Sequence, residues 1–321
     1  MDRTRRLLGV VAVAAFVACE VAGSQEPARP ASGLQRLLDA ELARFPGRAG
    51  VWVKHLTSGE EASVRADELF NSASVIKIPV MVLAFRLSAN GQFLLEQRVT
   101  ITAADMRGGS GVFRYHDPGL QPTLRDVLMQ MIATSDNTAT DIAIAKVGGV
   151  ERVNSLMHTL GYGNALKLNM TTGELFALYG QLQASLRNEK TNSDRSYWLG
   201  EMSPRATGRM LEAIQRCADG SAPEPAIASK AACTDMMRMM RAQQSGARRL
   251  PHFLTVPVAH KTGDFPPVIA NDVGVVFARS GPIVIAFFAN SIEGSYGEAE
   301  DRMGRIAQMI VAYFDGAPQN P

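Results

Sequence analysis

The chain has 321 residues, of which 46% are hydrophobic and 20% are charged. This length and apolar content are enough to bury a large core, as a globular enzyme requires. Basic residues exceed acidic ones by only two, so the charge balance gives no indication of nucleic-acid binding.

The first 23 residues have the pattern of an export signal. Three arginines within the first six residues precede an apolar run from 7 to 19, and small residues follow it. That run is too short to span a bilayer. Cleavage after Gly23 predicts a periplasmic or secreted protein, and lipid attachment at Cys19 is the alternative.

Residues 24–33 form a linker rich in Pro and Ala. An amphipathic helix follows, in which Leu34, Leu38 and Leu42 recur at helical spacing. Alternating apolar residues in 51–55 and 62–65, separated by a turn at 57–60, predict a β-hairpin.

Residues 72–250 are predicted to form helices. After residue 255 the periodicity changes, and β-rich runs at 256–260, 272–278 and 283–289 precede a closing helix at 298–314. These patterns predict an α+β fold. Its antiparallel sheet combines 34–71 with 251–317 and is flanked by helices in a three-layer α/β/α sandwich, and 72–250 form an inserted all-helical lobe.

Ser74 and Lys77 form the first candidate catalytic pair. Residues three apart share one face of a helix, so the amine of Lys77 can lie beside the hydroxyl of Ser74. A serine needs a base to become a good nucleophile, and an amine among apolar neighbours has a lowered pKa. The backbone N–H of Ser74, at the start of a helix, can also face a developing oxyanion.

Two further motifs follow in chain order, Ser135-Asp136-Asn137 and Lys261-Thr262-Gly263. Any single tripeptide arises by chance, but three in this order and in suitable local structure form a specific set. Ser135 falls in a loop of the helical lobe and Lys261 on a strand of the sheet. The sequence therefore predicts an active site in the crevice between the lobes, with Lys261 as a second cation near Lys77.

Cys217 and Cys233 lie sixteen residues apart on two successive predicted helices. In an oxidising compartment they form either a disulfide or two buried thiols, and both interpretations stay open. The five histidines show neither His-x-His nor His-x-x-x-His spacing, so we predict no zinc site and no other cofactor. His260, on the Lys261 strand, is predicted to be structural.

From residue 34 to residue 312, the chain resembles the class A β-lactamases and their penicillin-binding relatives among the serine hydrolases. The resemblance rests on the three motifs, on Gly109-Ser110-Gly111-Val112, and on Asn271 in the strand after Lys-Thr-Gly. It implies a β-lactamase/transpeptidase-like fold and a small-molecule partner, either a β-lactam or a peptidoglycan-like peptide. We expect a monomer.

The resemblance implies a role for each motif residue. Ser74 is the implied acylated nucleophile, and Lys77 shares its proton transfer. Ser135 passes a proton to the departing lactam nitrogen. The backbone N–H groups of Ser74 and Asp264 form the implied oxyanion hole.

The other motif residues are implied to bind the substrate. Asn137 holds the amide side chain of the substrate. Lys261, Thr262 and Gly263 bind its carboxylate.

One departure from the resembled family concerns deacylation. A family glutamate, four residues before the Asn of a Glu-x-x-Leu-Asn segment, activates the deacylating water. We match that segment to 165–169, so Ala165 replaces the glutamate while Asn169 keeps a contact to water or substrate. Slow deacylation follows. The stretch 170–202 is longer than the usual family connection and offers three alternative bases: Glu174, Glu189 and Glu201.

A second departure is Asp264, at a position where the family usually has a small or hydroxylated residue. Its carboxylate is predicted to weaken the binding of an anionic ligand. Many class A enzymes also use an arginine near the position of Asn271. The sequence has none there, and Arg302 is the candidate substitute.

We therefore expect a serine hydrolase that opens β-lactam rings through an acyl-Ser74 intermediate. Two alternatives stay open. One is a penicillin-binding D,D-peptidase or esterase-like enzyme on the same scaffold, and the other is a β-lactam-binding sensor without turnover.

Overall fold

The computed structural model describes residues 32–222 and 226–316. The predicted export signal, Cys19 and the linker up to residue 31 lie outside the described residues. Ser32 and Gly33, the last linker residues, already belong to the first helix, because the Ser32 hydroxyl caps it by accepting from the backbone N–H of Gln35 at 3.1 Å. Within the described residues, no helix is long and apolar enough to cross a membrane.

The main sheet combines both ends of the chain. Its strands are antiparallel and run in the spatial order β2-β1-β8-β7-β6. The early strand β1 pairs along its whole length with the late strand β8, so Val51 lies opposite Phe287. The strands are β1 (Arg48–His55), β2 (Glu61–Val64), β6 (Val258–Phe265), β7 (Ile269–Ala278) and β8 (Gly281–Asn290).

Helices cover both faces of this sheet. On β1, Val51 and Val53 pack into one apolar cluster with α1 (Gly33–Leu42) and α10 (Tyr296–Asp315), while Trp52 packs into another on the opposite face. Side chains alternate across a strand, so each face has its own core. The predicted α+β class, a three-layer sandwich with an inserted helical lobe, is confirmed.

The inserted part of the chain packs around α2 (Lys77–Ala89), which is buried on nearly all sides. Its remaining helices are α3 (Leu124–Ala133), α4 (Asn137–Val147), α5 (Val150–Thr159), α6 (Thr172–Gly180), α7 (Arg187–Ser193), α8 (Pro204–Asp219) and α9 (Lys230–Arg241). A disulfide between Cys217 and Cys233 joins α8 to α9. The described residues belong to one compact unit, and the predicted lobe limits stay a prediction.

A small second sheet departs from the prediction of helices throughout 72–250. It has the order β3-β5-β4, formed by β3 (Phe70–Asn71), β4 (Leu166–Leu168) and β5 (Gly200–Met202). Strands of two or three residues are too short to show a periodicity in sequence. Pairing of β4 with β5 brings the two ends of 169–199 together. That stretch is therefore a long loop whose ends meet at the small sheet, in which β5 also pairs with β3.

Candidate active site

Ser74 lies in a short 3-10 helix, Ala73–Ile76, that leads directly into α2. Ala73 before it has a φ of 43°, a left-handed conformation that costs a non-glycine residue about 1–3 kcal/mol. Asn71 holds this turn, because its Oδ1 accepts from the backbone N–H of Ala73 at 3.1 Å. The turn places Ser74 on the wall of a cavity.

Two buried lysines share the hydroxyl of Ser135. Nζ of Lys77 donates to the carbonyl oxygen of Ser135 at 2.7 Å, to its Oγ at 3.2 Å and to Oδ1 of Asn137 at 2.9 Å. Nζ of Lys261 donates to the same Oγ at 3.0 Å and to the carbonyl of Thr262 at 2.9 Å. The Ser135 hydroxyl therefore lies between two amines and can relay a proton.

Burial lowers the pKa of both amines. It holds the pKa of Lys77 well below its usual range, and the neighbouring charge of Lys261 lowers that pKa further. Burial also lowers the pKa of Lys261, to about 8. Lys261 is therefore still mostly charged at pH 7. The lowered pKa of Lys77 favours its neutral amine, which is the form that can accept a proton.

The loop that carries Ser135 is fixed by its neighbour Asp136. Ser135 has a φ of 56°, and Asp136 caps α4 by accepting from the backbone N–H of Ala139 at 2.8 Å. The Asp136 carboxylate also accepts from the N–H groups of Val112 and Phe113 at 2.6 and 2.7 Å. Asp136 is thus a structural residue that ties the segment after Gly111 to the motif.

Strand β6 comes unusually close to the serine turn. A Cβ at Gly263 would lie 2.4 Å from the carbonyl oxygen of Ser72, so only glycine allows this approach. Asn271 on β7 fixes the contact, since its Nδ2 donates to the carbonyls of Asn71 and Ser72 at 2.9 and 3.1 Å. The sheet and the nucleophile are therefore joined by side-chain to backbone hydrogen bonds.

Arg249 is a cavity residue that sequence analysis missed. Its side chain is 2% exposed and pairs with Asp264 and, at 2.9 Å, with Glu300. The candidate arginine, Arg302, lies instead in a different surface groove, 3.6 Å from Glu41. The available signal was the pair Arg248-Arg249 ahead of the Lys-Thr-Gly strand, but no local pattern shows which of the two side chains turns inward.

The cavity has a volume of about 570 Å³ and is lined by four of the nine predicted site residues. Lys77, Lys261 and Thr262 are buried directly behind its wall and touch it through Ser135 and Ser245. The predicted site residues that line it are Ser74, Ser135, Asn137 and Asp264.

Metal and histidine chemistry are not indicated at this cavity. Among the described residues, no group of His, Cys, Asp or Glu side chains is placed to hold a metal ion. His260 is buried and its Nδ1 is hydrogen-bonded to Asp272 at 2.8 Å. Asp272 also accepts from the backbone N–H of Leu250, so this pair holds β6, β7 and the Arg249 segment together.

A model of the β-lactamase enzyme family matches residues 31–314. The chain belongs to the β-lactamase enzyme family. The predicted resemblance is thereby confirmed.

Individual relatives are distant. A β-lactamase of Mycobacterium tuberculosis is 28% identical over 84% of this chain and 81% of its own length. The Escherichia coli β-lactamase Toho-1 is 30% identical, but the matched region spans 41% of this chain and only 45% of Toho-1. The chain thus matches about half the length of some β-lactamases and most of the length of others.

Solved structures show the same fold. A β-lactamase from Sphaerobacter thermophilus has a TM-score of 0.73 and 26% identity, covering 90% of this chain and 98% of that one. PBP-A has a TM-score of 0.74 and 24% identity, covering 91% and 99%. A variant of PBP-A was solved as an acyl-enzyme complex with penicillin G.

The structure does not place Ala165 at the cavity, contrary to our matching with the β-lactamase family. Ala165 precedes β4, and its carbonyl accepts from the backbone N–H of Ser203 at 2.9 Å. Asn169 is also absent from the cavity wall, and its Nδ2 donates to the carbonyl of Trp198 at 3.2 Å. The matching rested on a Leu-Asn pair that ends β4, whereas the cavity-facing residues begin three positions later.

The cavity wall on this side is formed by residues that follow Asn169 in the stretch 169–199. Thr172 is the first residue of this segment on the wall. Its backbone N–H donates to Oδ1 of Asp141 at 2.7 Å, and its hydroxyl lies 2.7 Å from the same oxygen and 3.2 Å from the carbonyl oxygen of Asn137. None of the lining side chains of this segment carries a carboxylate: Thr172, Leu175, Phe176, Tyr197 and Leu199.

The three alternative bases are also absent from the wall. The Glu174 carboxylate closes a capping box with Thr171 at 2.8 Å, and Glu189 is exposed on α7. Glu201 is buried on β5 and pairs with Arg195 at 3.2 Å.

Aromatic contacts hold the segment against the sheet. The ring of Tyr179 stacks on Phe265 of β6 with centroids 4.9 Å apart and meets the edge of Tyr197 at 5.6 Å. Phe176 reaches the opposite wall, where a Cβ at Gly109 would lie 3.1 Å from its ring. This wall is therefore apolar and closely packed.

Proposed function

We propose that this chain is a serine hydrolase that opens β-lactam rings through an ester at Ser74. One observation carries the proposal. The Ser135 hydroxyl lies 3.2 and 3.0 Å from the amines of Lys77 and Lys261, on the same cavity wall as Ser74. This arrangement supplies a base, a proton relay and a cation beside one nucleophile.

Acylation proceeds by a closed proton path. Neutral Lys77 takes the Ser74 proton as Oγ bonds to the lactam carbonyl carbon. The backbone N–H groups of Ser74 and Asp264 stabilise the oxyanion. When the lactam C–N bond breaks, the nitrogen takes the Ser135 proton, and Lys77 returns its proton to Ser135. The opened ring stays bound to Ser74 as an ester.

The remaining motif residues orient the ligand. Nδ2 of Asn137 donates to the carbonyl of Gly108 at 3.0 Å, which leaves its second N–H for the amide side chain of a ligand. Lys261 attracts the carboxylate of a ligand from behind the wall, where its amine donates to the Ser135 hydroxyl, and Thr262 lies behind Ser245.

We further propose that hydrolysis of this ester is slow. A deacylating water needs a positioned base, and the lining part of 169–199 contributes no carboxylate. The two carboxylates that do line the cavity, Asp264 and Glu300, are both held by Arg249. The same observation favours a penicillin-binding D,D-peptidase as the second candidate function.

Export to an oxidising compartment is part of the proposal. The apolar run after three arginines supports an export signal, and the Cys217–Cys233 disulfide fits such a compartment. N-terminal sequencing of protein from a periplasmic extract tests this, with residue 24 expected first. An uncleaved start in that extract contradicts it.

Pre-steady-state kinetics with a chromogenic cephalosporin tests the function. A burst of one equivalent followed by slow linear release supports the proposed hydrolase. A burst without release supports a binding protein that does not turn over, and no burst with cleavage of D-Ala-D-Ala peptides supports the peptidase. Linear ring opening without a burst supports a hydrolase but contradicts the slow deacylation, and the absence of both ring opening and peptide cleavage contradicts all three functions.

A further inference from the structure

We infer that Asp264 is a specificity-determining residue that disfavours certain acyl donors. These are the donors that carry a carboxylate on the leaving side, the part of the substrate whose bond to the carbonyl carbon breaks. The preferred substrates are donors whose leaving side is neutral or carries an ammonium group. This inference rests on the proposed function and names its substrate class. Asp264 directly follows the anchoring residues Lys261, Thr262 and Gly263 on β6, lines the cavity, and has a side chain that is 32% exposed.

The arginine beside Asp264 has little to offer a ligand anion. Every nitrogen of the Arg249 guanidinium already donates to the protein. Nε donates to Glu300 at 2.9 Å, Nη1 to the carbonyl of Asn271 at 2.9 Å, and Nη2 to both Asp264 and the Tyr296 hydroxyl. With 2% of its side chain exposed, Arg249 orients Asp264 rather than binding a ligand itself.

The hydroxyl groups at this end are also engaged. Oγ of Ser245 lies 2.7 Å from Oγ1 of Thr262 and 3.1 Å from Oε1 of Gln243. Because Ser245 donates its only hydroxyl proton to Gln243, Thr262 is the donor to Ser245, and a ligand carboxylate must displace that hydrogen bond before Thr262 can donate to it. Lys261 is left as the main attraction for an anion.

The charges at this end cancel. Arg249, Asp264 and Glu300 line the cavity, and Lys261 lies buried directly behind its wall, so this end has two cations and two anions. Opposite charges a few ångströms apart largely offset each other, so an incoming carboxylate meets no net positive charge. Asp264 is the more exposed of the two anions, with 32% of its side chain accessible against 15% for Glu300. Its charge is therefore the one that a ligand meets first.

The test compares benzylpenicillin with its methyl ester, which differ only in the charge of the leaving side. Intact-protein mass spectrometry gives the second-order acylation rate for each, and the quantity of interest is the acid-to-ester ratio. We expect a ratio below 1 for the native protein. Asp264→Asn removes the charge but keeps the shape, and it should raise the ratio at least about 10-fold. Asp264→Glu keeps the charge and should stay within about threefold of the native ratio.

Two controls separate charge from structure. Glu151→Gln removes an exposed carboxylate on α5 and should leave the ratio unchanged. Glu300→Gln takes the other carboxylate from Arg249 and should raise the ratio about threefold, less than Asp264→Asn does. Equal rises in these two variants overturn the assignment, because loosening Arg249 would then be sufficient. If Asp264→Asn does not fold, a ratio in Glu300→Gln no higher than native overturns it.

The two proposals fail in different ways. A native ratio above 1, or an Asp264→Asn ratio within twofold of native, overturns the specificity inference while Ser74 acylation stands. Absence of any adduct with either probe overturns the proposed function and the inference together.

Discussion

The two walls of the cavity differ in polarity and in the contacts that hold them. The wall around Ser135 is polar and buried, and each amine there donates to at least two acceptors. The wall from 169–199 presents Leu175, Phe176 and Leu199 and is held by aromatic contacts. The first wall has groups that can transfer protons, whereas the second can only shape the cavity and exclude water from it.

This difference separates the two halves of a hydrolytic cycle. Acylation needs only groups of the polar wall, which lie on regular elements or, for Ser135, in the short loop between α3 and α4. Deacylation also needs a base for water, and the other wall offers no carboxylate, since it carries Thr172, Tyr197 and apolar side chains. Under the proposed function, we therefore expect the ester to form faster than it is hydrolysed.

Removal of the nucleophile should have the largest effect on the polar wall. Ser74→Ala should abolish the covalent adduct with benzylpenicillin, because no other group of the polar wall is placed to replace it. Folding should persist, since the change removes no core volume. Mass spectrometry and thermal unfolding measure both, with Ser155→Ala, on exposed α5, as the control that keeps the adduct. An adduct on the Ser74→Ala protein contradicts the assignment.

The sequence predicted the polar wall well because its residues lie in short motifs with fixed spacing. Ser74 and Lys77 depend on one helical turn, and Lys261 on one strand. The apolar wall was mispredicted, because its position depends on pairing of β4 with β5, two strands of three residues each. Such pairing joins distant parts of the chain and leaves no local signal, so the sequence did not show that Ala165 lies off the cavity wall and Thr172 on it.

Arg249 shows a second limit of sequence. Its role follows from three partners that are 15 to 51 residues away in the chain, namely Asp264, Asn271 and Glu300. The motif predicted Asp264 but not its partner. The combination of both chain ends in one sheet was accessible, since β-rich runs at both ends predicted a shared sheet.

The next largest effect should come from the base of the polar wall. Lys77→Ala should slow acylation by at least about 100-fold, the usual scale for a positioned acid or base. Lys146→Ala, an exposed lysine near the end of α4, should leave the rate unchanged. Stopped-flow acylation rates measure both, and thermal unfolding checks that the Lys77 variant is folded. A native rate in Lys77→Ala excludes this lysine as the base.

A carboxylate added to the apolar wall should supply the base that this wall lacks. Thr172→Glu places a carboxylate on the cavity side of 169–199 and should speed deacylation by up to about 100-fold. Ala165→Glu is the matched control. It adds the same group off the wall and should give no gain. Single-turnover decay of the acyl-enzyme measures both. A gain in Ala165→Glu, or faster decay in neither variant, contradicts the assignment of the wall.

The smallest predicted effect is a pH dependence on the polar wall. The pKa of Lys261 is lowered to about 8, so its amine is charged at pH 7 and mostly neutral at pH 9. The ratio of acylation rates for benzylpenicillin and its methyl ester should therefore fall about 10-fold over that interval. The ester is the internal control, because both probes use Lys77 as base. A ratio that stays constant from pH 7 to 9 excludes Lys261 as the carboxylate anchor.

The most direct test of a cavity that acylates but does not readily deacylate is a time course of the native protein with excess benzylpenicillin. Intact-protein mass spectrometry should show a single adduct of the whole ligand mass that accumulates to one equivalent. Peptide mapping should place it on the peptide that contains Ser74, and it should decay slowly after the ligand is removed. Rapid ring opening without accumulation of this adduct, or an adduct on another peptide, contradicts the account.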